Sequence, residues 1–178
     1  MRRLILGLAV AMTIGPGSGQ AQVQIDTTKI TCADYLAMTA DQASIFSGWM
    51  SGWFNQKLGY VWVGLGDYAR NVASVRQWCA TSPRETVMAG LERSNPQPGP
   101  AGGQVRIDMS LITCKQYLSS DSEQRLMIAA WMSGYFRAAM NQPIFDFQRF
   151  ANNRKIVDSY CKKRGGETLM SAIQTKTR

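Results

Sequence analysis

The 178-residue chain contains no histidine, and this absence removes much of the usual catalytic chemistry. Without an imidazole there is no histidine general base, no Ser-His-Asp triad and no histidine metal ligand. The sequence also lacks a phosphate-binding GxxxxGK(S/T) loop, and its glycine-rich stretches have the composition of linkers. The acidic positions that could act in pairs have adequate roles as helix caps or surface groups. We therefore expect a protein that is not an enzyme and that needs no metal or cofactor.

Long hydrophobic runs are also missing, apart from one at the N-terminus. Arg2 and Arg3 precede an apolar run of about 11 residues, and a Gly/Pro-rich stretch and a small-residue site follow before Gln22. A membrane-anchoring helix is the alternative, but a span needs about 20 apolar residues. The pattern predicts a signal peptide at residues 1–21 and export of the chain, with no membrane span. No cysteine lies directly after the apolar run, at the predicted cleavage site, which argues against a lipoprotein anchor.

The remaining chain contains the same pattern twice, with each element offset by 82 positions. Ile30-Thr31-Cys32 recurs as Ile112-Thr113-Cys114, and Trp49-Met50-Ser51-Gly52 recurs as Trp131-Met132-Ser133-Gly134. Aligning 22–93 with 104–175 gives about 22 identities in 72 positions without a gap. This period exceeds the roughly 20–50 residues of solenoid repeats. The sequence therefore predicts two tandem small domains, repeat 1 (22–93) and repeat 2 (104–178), joined by a Pro/Gly-rich linker at 94–103.

Each repeat contains two of the four cysteines. Four cysteines permit three pairings, and pairing within each repeat is the economical one because each unit must once have folded alone. A domain of about 70 residues has a small core and gains from such a link. Metal ligation is the alternative, but the chain has no CxxC motif. We expect disulfides that join Cys32 to Cys79 and Cys114 to Cys161.

The exported chain is basic, because removing Arg2 and Arg3 from 20 basic residues leaves 18 against 12 acidic ones, a net charge of +6. The charge is dispersed and forms no basic stripe with interleaved aromatic residues, so we expect no nucleic-acid partner. Contact with anionic envelope surfaces stays open beside the more ordinary interpretation of a solvated face.

Capping signals place four helices in each repeat, so the expected fold class is all-α. Thr31 with Asp34, and Thr113 with Gln116, resemble capping boxes that put each first cysteine in the first helical turn. A second pair of caps is predicted at Thr39-x-x-Gln42 and at Ser120-x-x-Glu123. The fourth helix of repeat 1 is predicted to open at Ser82-Pro83-Arg84-Glu85.

The longest predicted helix of each repeat carries large apolar side chains at helical spacing. This stripe is either domain core, the more ordinary interpretation, or a surface for partner proteins. The small pairs Ser51-Gly52 and Ser133-Gly134 lie within it and would let a neighbouring helix approach closely. After the long helix of repeat 1, Tyr60-Val61-Trp62-Val63 predicts a loop or short extended segment, either exposed as a contact site or folded over the core.

Two segments of repeat 1, Thr31-Cys32-Ala33-Asp34-Tyr35-Leu36 and Gly48-Trp49-Met50-Ser51-Gly52, are similar to the HdeA/HdeB family, as is the Cys79 position 47 residues after Cys32. Repeat 2 resembles the family more closely, through Ile112–Leu118 and Ala130–Tyr135. The resemblance implies a small all-helical periplasmic protein with one disulfide per domain, whose best-known relatives are acid-stress chaperones. Tandem duplication departs from the usual single-domain members. It leaves open whether the repeats pair with each other or the chain forms a homodimer.

The resemblance further implies an ATP-independent holdase that is idle at neutral pH and loosens in acid to bind unfolding client proteins. Without histidine the trigger must be carboxylates, so we expect no change between about pH 8 and pH 5. The alternative is a constitutive envelope module that binds a protein or an anionic polymer. The client-binding candidates are large apolar residues of the long helices and the glycine-bracketed segment: Phe46, Trp49, Met50, Trp53, Phe54, Tyr60, Trp62, Ile128, Trp131, Met132, Tyr135 and Phe136.

Overall fold

The computed structural model describes residues 24–94 and 105–177, so the predicted signal peptide (1–21) and linker residues 95–103 lie outside the described chain. Each repeat forms four helices and two three-residue strands, which confirms the predicted all-α fold of two four-helix units. Repeat 1 contains β1 (Gln24–Asp26), α1 (Cys32–Leu36), α2 (Ala40–Lys57), β2 (Trp62–Gly64), α3 (Leu65–Thr81) and α4 (Val87–Ser94). Repeat 2 contains β3 (Arg106–Asp108), α5 (Cys114–Ser119), α6 (Ser122–Ala139), β4 (Ile144–Asp146), α7 (Phe147–Cys161) and α8 (Leu169–Lys176).

Three of the five predicted caps form as expected. The Thr31 hydroxyl accepts the amide of Asp34, and the Asp34 carboxylate accepts the amide of Thr31, which closes a capping box at the start of α1. Thr113 caps α5 and Thr39 caps α2 in the same way, with glutamine side chains as the reciprocal acceptors. Local sequence alone therefore fixes where these helices begin.

The predicted cap at Ser120-x-x-Glu123 is wrong by one residue. Asp121 is the N-cap of α6, and its carboxylate accepts the amide of Gln124 at 2.8 Å. Ser120 is instead the C-cap of α5, and its hydroxyl donates to a carbonyl of that helix. The offset of 82 places Asp121 at the position equivalent to Thr39, so the repeat register predicts the observed cap where the local Ser-x-x-Glu pattern does not.

The predicted start of the fourth helix is also wrong, because α4 begins at Val87. Ser82 is the C-cap of α3. The carbonyls of Pro83 and Glu85 accept hydrogen bonds from the first two amides of α1, at 2.9 and 2.8 Å. These carbonyls satisfy the amide donors that every helix leaves free at its start, so this segment cannot itself be helical.

Both predicted disulfides are present. Cys32 bonds to Cys79 and Cys114 bonds to Cys161, so each bond joins the first helix of a repeat to its third helix. All four cysteine side chains are buried. Within the described residues, no group of three or more potential metal-ligating side chains occurs.

The two repeats pack on each other through their long helices, α2 and α6. A Cβ atom on Gly52 would lie 1.9 Å from the carbonyl oxygen of Trp131, and a Cβ on Gly134 would lie 1.9 Å from that of Trp49. Two backbones thus touch where any side chain would collide, which confirms the expectation that these glycines admit a neighbouring helix. The contact is reciprocal, as in an isologous interface between two equivalent subunits.

Two short strand pairs also join the repeats, and each pair takes one strand from each repeat. β1 pairs antiparallel with β4, placing Ile25 opposite Phe145, and β2 pairs antiparallel with β3, placing Val63 opposite Ile107. The hydrophobic core follows the same exchange, because Phe145 packs in the cluster of repeat 1 and Val63 in that of repeat 2. Each repeat therefore completes the core of the other.

Candidate functional site

The candidate client-binding residues divide into a buried and a partly buried group. Seven of the twelve are buried: Phe46, Trp49, Met50, Trp53, Ile128, Trp131 and Met132. The other five keep part of their surface exposed: Phe54, Tyr60, Trp62, Tyr135 and Phe136. In the folded chain, most of the apolar stripe is thus core.

The centre of this core is an aromatic cluster between α2 and α6. Trp49 stacks on Trp53 with ring centroids 5.2 Å apart, and Trp131 stacks on Tyr135 at 5.0 Å. Phe145 of β4 lies 5.6 Å from Trp49 and extends the cluster across the repeats. The indole N–H groups of Trp49 and Trp131 are buried, and no acceptor among the described residues reaches them. Burying such a donor unpaired costs about 1–3 kcal/mol. Opening the interface to water would recover part of this cost.

The segment around Trp62 is held in place by contacts from both repeats. The Arg106 guanidinium lies 4.2 Å from the centroid of the Trp62 ring, and the Asn55 side chain donates to the Trp62 carbonyl at 2.9 Å. Tyr60 packs beside Trp62 with centroids 5.2 Å apart. These contacts leave Tyr60 and Trp62 half-buried while the neighbouring Val63 is buried.

Each repeat also has a groove on its outer side, between its long helix and its third helix, which the sequence reasoning missed. The groove of repeat 1 includes Phe54, Tyr68 and Val72, and the groove of repeat 2 includes Phe136 and Arg154. Their free space is about 510 and 550 Å³ respectively, including the open side. Burial raises the pKa of Tyr68 to about 12. Eleven of the 13 lining positions of each groove match under the offset of 82, a signal that could have paired the grooves beforehand.

Two partly exposed carboxylates have lowered pKa values. Hydrogen bonds from the Thr28 hydroxyl and from Lys29 lower the pKa of Asp26, at the end of β1. Hydrogen bonds from Tyr160 and Arg164 lower the pKa of Glu167, just before α8. Both groups therefore stabilise the fold more when they are ionised.

A buried hydroxyl anchors another carboxylate in repeat 2. The Tyr117 hydroxyl donates to Asp158 at 2.8 Å, and burial followed by this bond raises the pKa of Tyr117. The carboxylate is thereby engaged inside its own repeat, between α5 and α7.

These features define a class of protein: a small all-helical tandem repeat, with one disulfide per repeat, whose largest apolar side chains are enclosed between its two halves. None of the described helices combines the length and apolarity needed to cross a membrane. The family model of HdeA/HdeB matches residues 3–89 and again residues 92–171, so the chain belongs to the HdeA/HdeB family. This family is known for periplasmic acid-stress chaperones. Among curated proteins and solved structures, none matches the chain.

Proposed function

We propose that the chain is an ATP-independent holdase of the periplasm that binds unfolding client proteins in acid. The observation that carries this proposal is the enclosure of the apolar stripe between α2 and α6. A surface stored in this way is unavailable at neutral pH and becomes available when the repeats separate. Export through residues 1–21 is part of the proposal, and the two disulfides suit an oxidising compartment.

The stored surface is large enough to hold an unfolded segment. A buried Trp or Phe side chain exposes on the order of 150–250 Å² when it is released. Trp49, Trp53 and Trp131, which lie at the contact, would together offer on the order of 450–750 Å². Apolar patches beyond a few hundred Å² are characteristic of interaction surfaces.

Protonation of carboxylates supplies the trigger. Asp26 and Glu167 have lowered pKa values, so their stabilisation is fully present above the unfolded value of about 4 and is lost as pH falls through the lower folded value. Asp26 ends the strand that pairs with β4 of the other repeat. When all 12 carboxylates of the exported chain are neutral, 18 positive charges repel each other.

The covalent framework permits separation without full unfolding. All four cysteines are paired within repeats, so no disulfide crosses the contact between α2 and α6. Each repeat keeps its first and third helices joined while the two halves part. The excess of positive charge also opposes aggregation of a client complex.

A light-scattering assay tests the proposal. The exported chain is mixed with an acid-labile client at about pH 2.5 and at pH 7, at up to a few-fold molar excess. We expect suppressed client aggregation only in acid. Unchanged aggregation in acid would refute the holdase function.

A cross-linked variant tests whether the enclosed surface is the client site. The Cβ position of Gly48 lies 3.1 Å from the Cβ of Ala130 across the contact, a few tenths of an ångström short of disulfide geometry. Oxidised Gly48→Cys/Ala130→Cys should lock α2 to α6 and lose protection, while Gly48→Ser/Ala130→Ser should retain it. Equal protection by the locked chain would place the client surface elsewhere.

A constitutive binding module for a protein or an anionic polymer is the second candidate, because Tyr60 and Trp62 keep exposed surface in the folded chain. Circular dichroism and binding of an apolar dye from pH 7 to pH 2 separate the two functions. A holdase gains dye binding below about pH 4. A constitutive module stays rigid and binds no dye throughout.

A further inference from the structure

The outer grooves of the two repeats differ in charge although they occupy equivalent positions. In repeat 1 the lining includes Asn55 and Val72, and no charged residue lines that groove in the described chain. The equivalent positions of repeat 2 are Arg137 and Arg154. Duplication thus provides an internal comparison, in which one groove is neutral and the other is cationic.

The two arginines are incompletely neutralised by the protein. The Nε atom of Arg154 is buried, and no acceptor in the described chain lies within hydrogen-bond distance of it. Arg137 donates to the neutral side chain of Gln142. Burial, followed by the nearby charge of Arg149, lowers the pKa of Arg137, and the carboxylate of Asp146 offsets only part of this.

Two nearby carboxylates, Asp158 and Asp146, accept hydrogen bonds from other groups and lie outside the groove lining. Asp158 accepts the hydroxyl of Tyr117. Asp146, a buried residue, caps the start of α7 by accepting the amide of Arg149 at 2.9 Å. No acidic residue lines the groove itself in the described chain. An anion entering the groove would therefore meet cationic donors and no carboxylate.

Most of the remaining lining of the groove is apolar, and Ser133, Asn153 and Thr177 add polar groups. Phe136, Phe150, Leu169 and Ile173 line it, and the exposed Met140 lies at its rim. The free space of this groove, counted with its open side, is about 550 Å³. An apolar channel with two cations suits an alkyl chain that ends in one anionic group.

We propose that the groove of repeat 2 binds a fatty acid in the folded state, with Arg154 and Arg137 holding the carboxylate. The planar guanidinium fork matches the two oxygens of a carboxylate, and a free Nε completes one edge of that fork. The site is separate from the enclosed surface between α2 and α6, so it goes beyond the holdase function and does not depend on it.

Calorimetric titration of the folded, full exported chain at pH 7.5 tests this site, with dodecanoate below its micellar concentration as the probe. We expect one molecule bound per chain. The neutral dodecyl maltoside and the cationic dodecyltrimethylammonium should bind at least tenfold more weakly. Equal binding of the three probes would overturn the charge recognition, and tenfold preference for dodecyl phosphate would overturn the assignment to a carboxylate.

Variants locate the site. Arg154→Val, which installs the residue of the equivalent position in repeat 1, should weaken dodecanoate binding about tenfold or more, because a charge-assisted hydrogen bond is lost. Arg84→Gln, an equal change of charge on an exposed turn of repeat 1, should leave binding unchanged. Since Arg154→Val could disturb folding, Arg137→Gln serves as the second variant, with circular dichroism as a check. Unchanged affinity in both folded variants, or an equal loss in Arg84→Gln, would refute the site.

Discussion

Replacing Gly52 by alanine tests the contact between the long helices most directly. The new Cβ would lie 1.9 Å from the carbonyl oxygen of Trp131, whereas real Cβ atoms are essentially never found within 3.0 Å of such an atom. The helices must therefore move apart by about 1.1 Å or more in that direction. The obstacle is backbone, which cannot rotate away as a flexible side chain would.

The expected magnitude follows from two opposing effects. Alanine is favoured over glycine in a helix by up to about 1 kcal/mol. Overpacking a tight core costs about 1–3 kcal/mol and occasionally more, and here it also loosens the fully buried Trp49 and Trp131. Because the clash is with backbone, we take the upper overpacking cost of about 3 kcal/mol less about 1 kcal/mol of helix propensity. Gly52→Ala should therefore lose about 2 kcal/mol of unfolding free energy, or roughly 4–8 °C in Tm for a chain of this size.

Denaturant unfolding at pH 7 with the disulfides intact measures this loss. The control is Gly66→Ala in α3, where the nearest atom to the new Cβ is the flexible Arg70 guanidinium at 3.3 Å. That change should be neutral or slightly stabilising. If Gly52→Ala were as stable as the original chain, the close backbone contact would be refuted.

The double variant Gly52→Ala/Gly134→Ala adds a test of reciprocity. One separation of α2 from α6 makes room for both new methyl groups, because each glycine faces the backbone of the other helix. The combined loss should therefore be smaller than the sum of the single losses by about 1 kcal/mol or more. Strict additivity would contradict a shared contact.

Three further predictions concern acid, disulfides and caps. The free energy of unfolding should stay level from about pH 8 to pH 5 and fall below about pH 4, and a fall already at pH 6 would contradict a carboxylate trigger. Glu167→Gln should reduce the free energy of unfolding at pH 7 but not at pH 2, with the exposed Glu92→Gln as the control. Reducing the two disulfides, each closing 47 residues, should cost about 4 kcal/mol per bond in chemical denaturation, and an unchanged midpoint would contradict this. Asp121→Ala should lower the free energy of unfolding by about 1 kcal/mol, measured by thermal unfolding, and Ser120→Ala should lower it less. The reverse order would be evidence against the observed cap.

Features that depend on neighbouring residues could be predicted from the sequence. Thr31 and Thr113 start their helices through their own hydroxyls, and the cysteine pairs follow from the duplication. The error at Ser120 had a local cause as well, since two adjacent residues both suit a cap and only the repeat register distinguishes them.

Features that depend on distant parts of the chain could not be predicted. The start of α4 shifts because the Pro83 and Glu85 carbonyls bind α1, a contact across some 50 residues. The apolar stripe indicated a buried face but did not specify what buries it, because helical periodicity is the same whether the partner is within the repeat or in the other repeat. The groove with Arg137 and Arg154 combines residues from α6 and α7 and has no signature in either helix alone.

The exchange of strands between repeats has a kinetic consequence. Because both halves belong to one chain, their contact re-forms as a first-order process, at an effective local concentration that is in the millimolar range for short connections. A two-chain dimer that separates in acid must find its partner again after neutralisation, at a rate that falls with dilution. This chain keeps its partner attached, so its recovery after an acid pulse should be independent of how much protein the compartment contains.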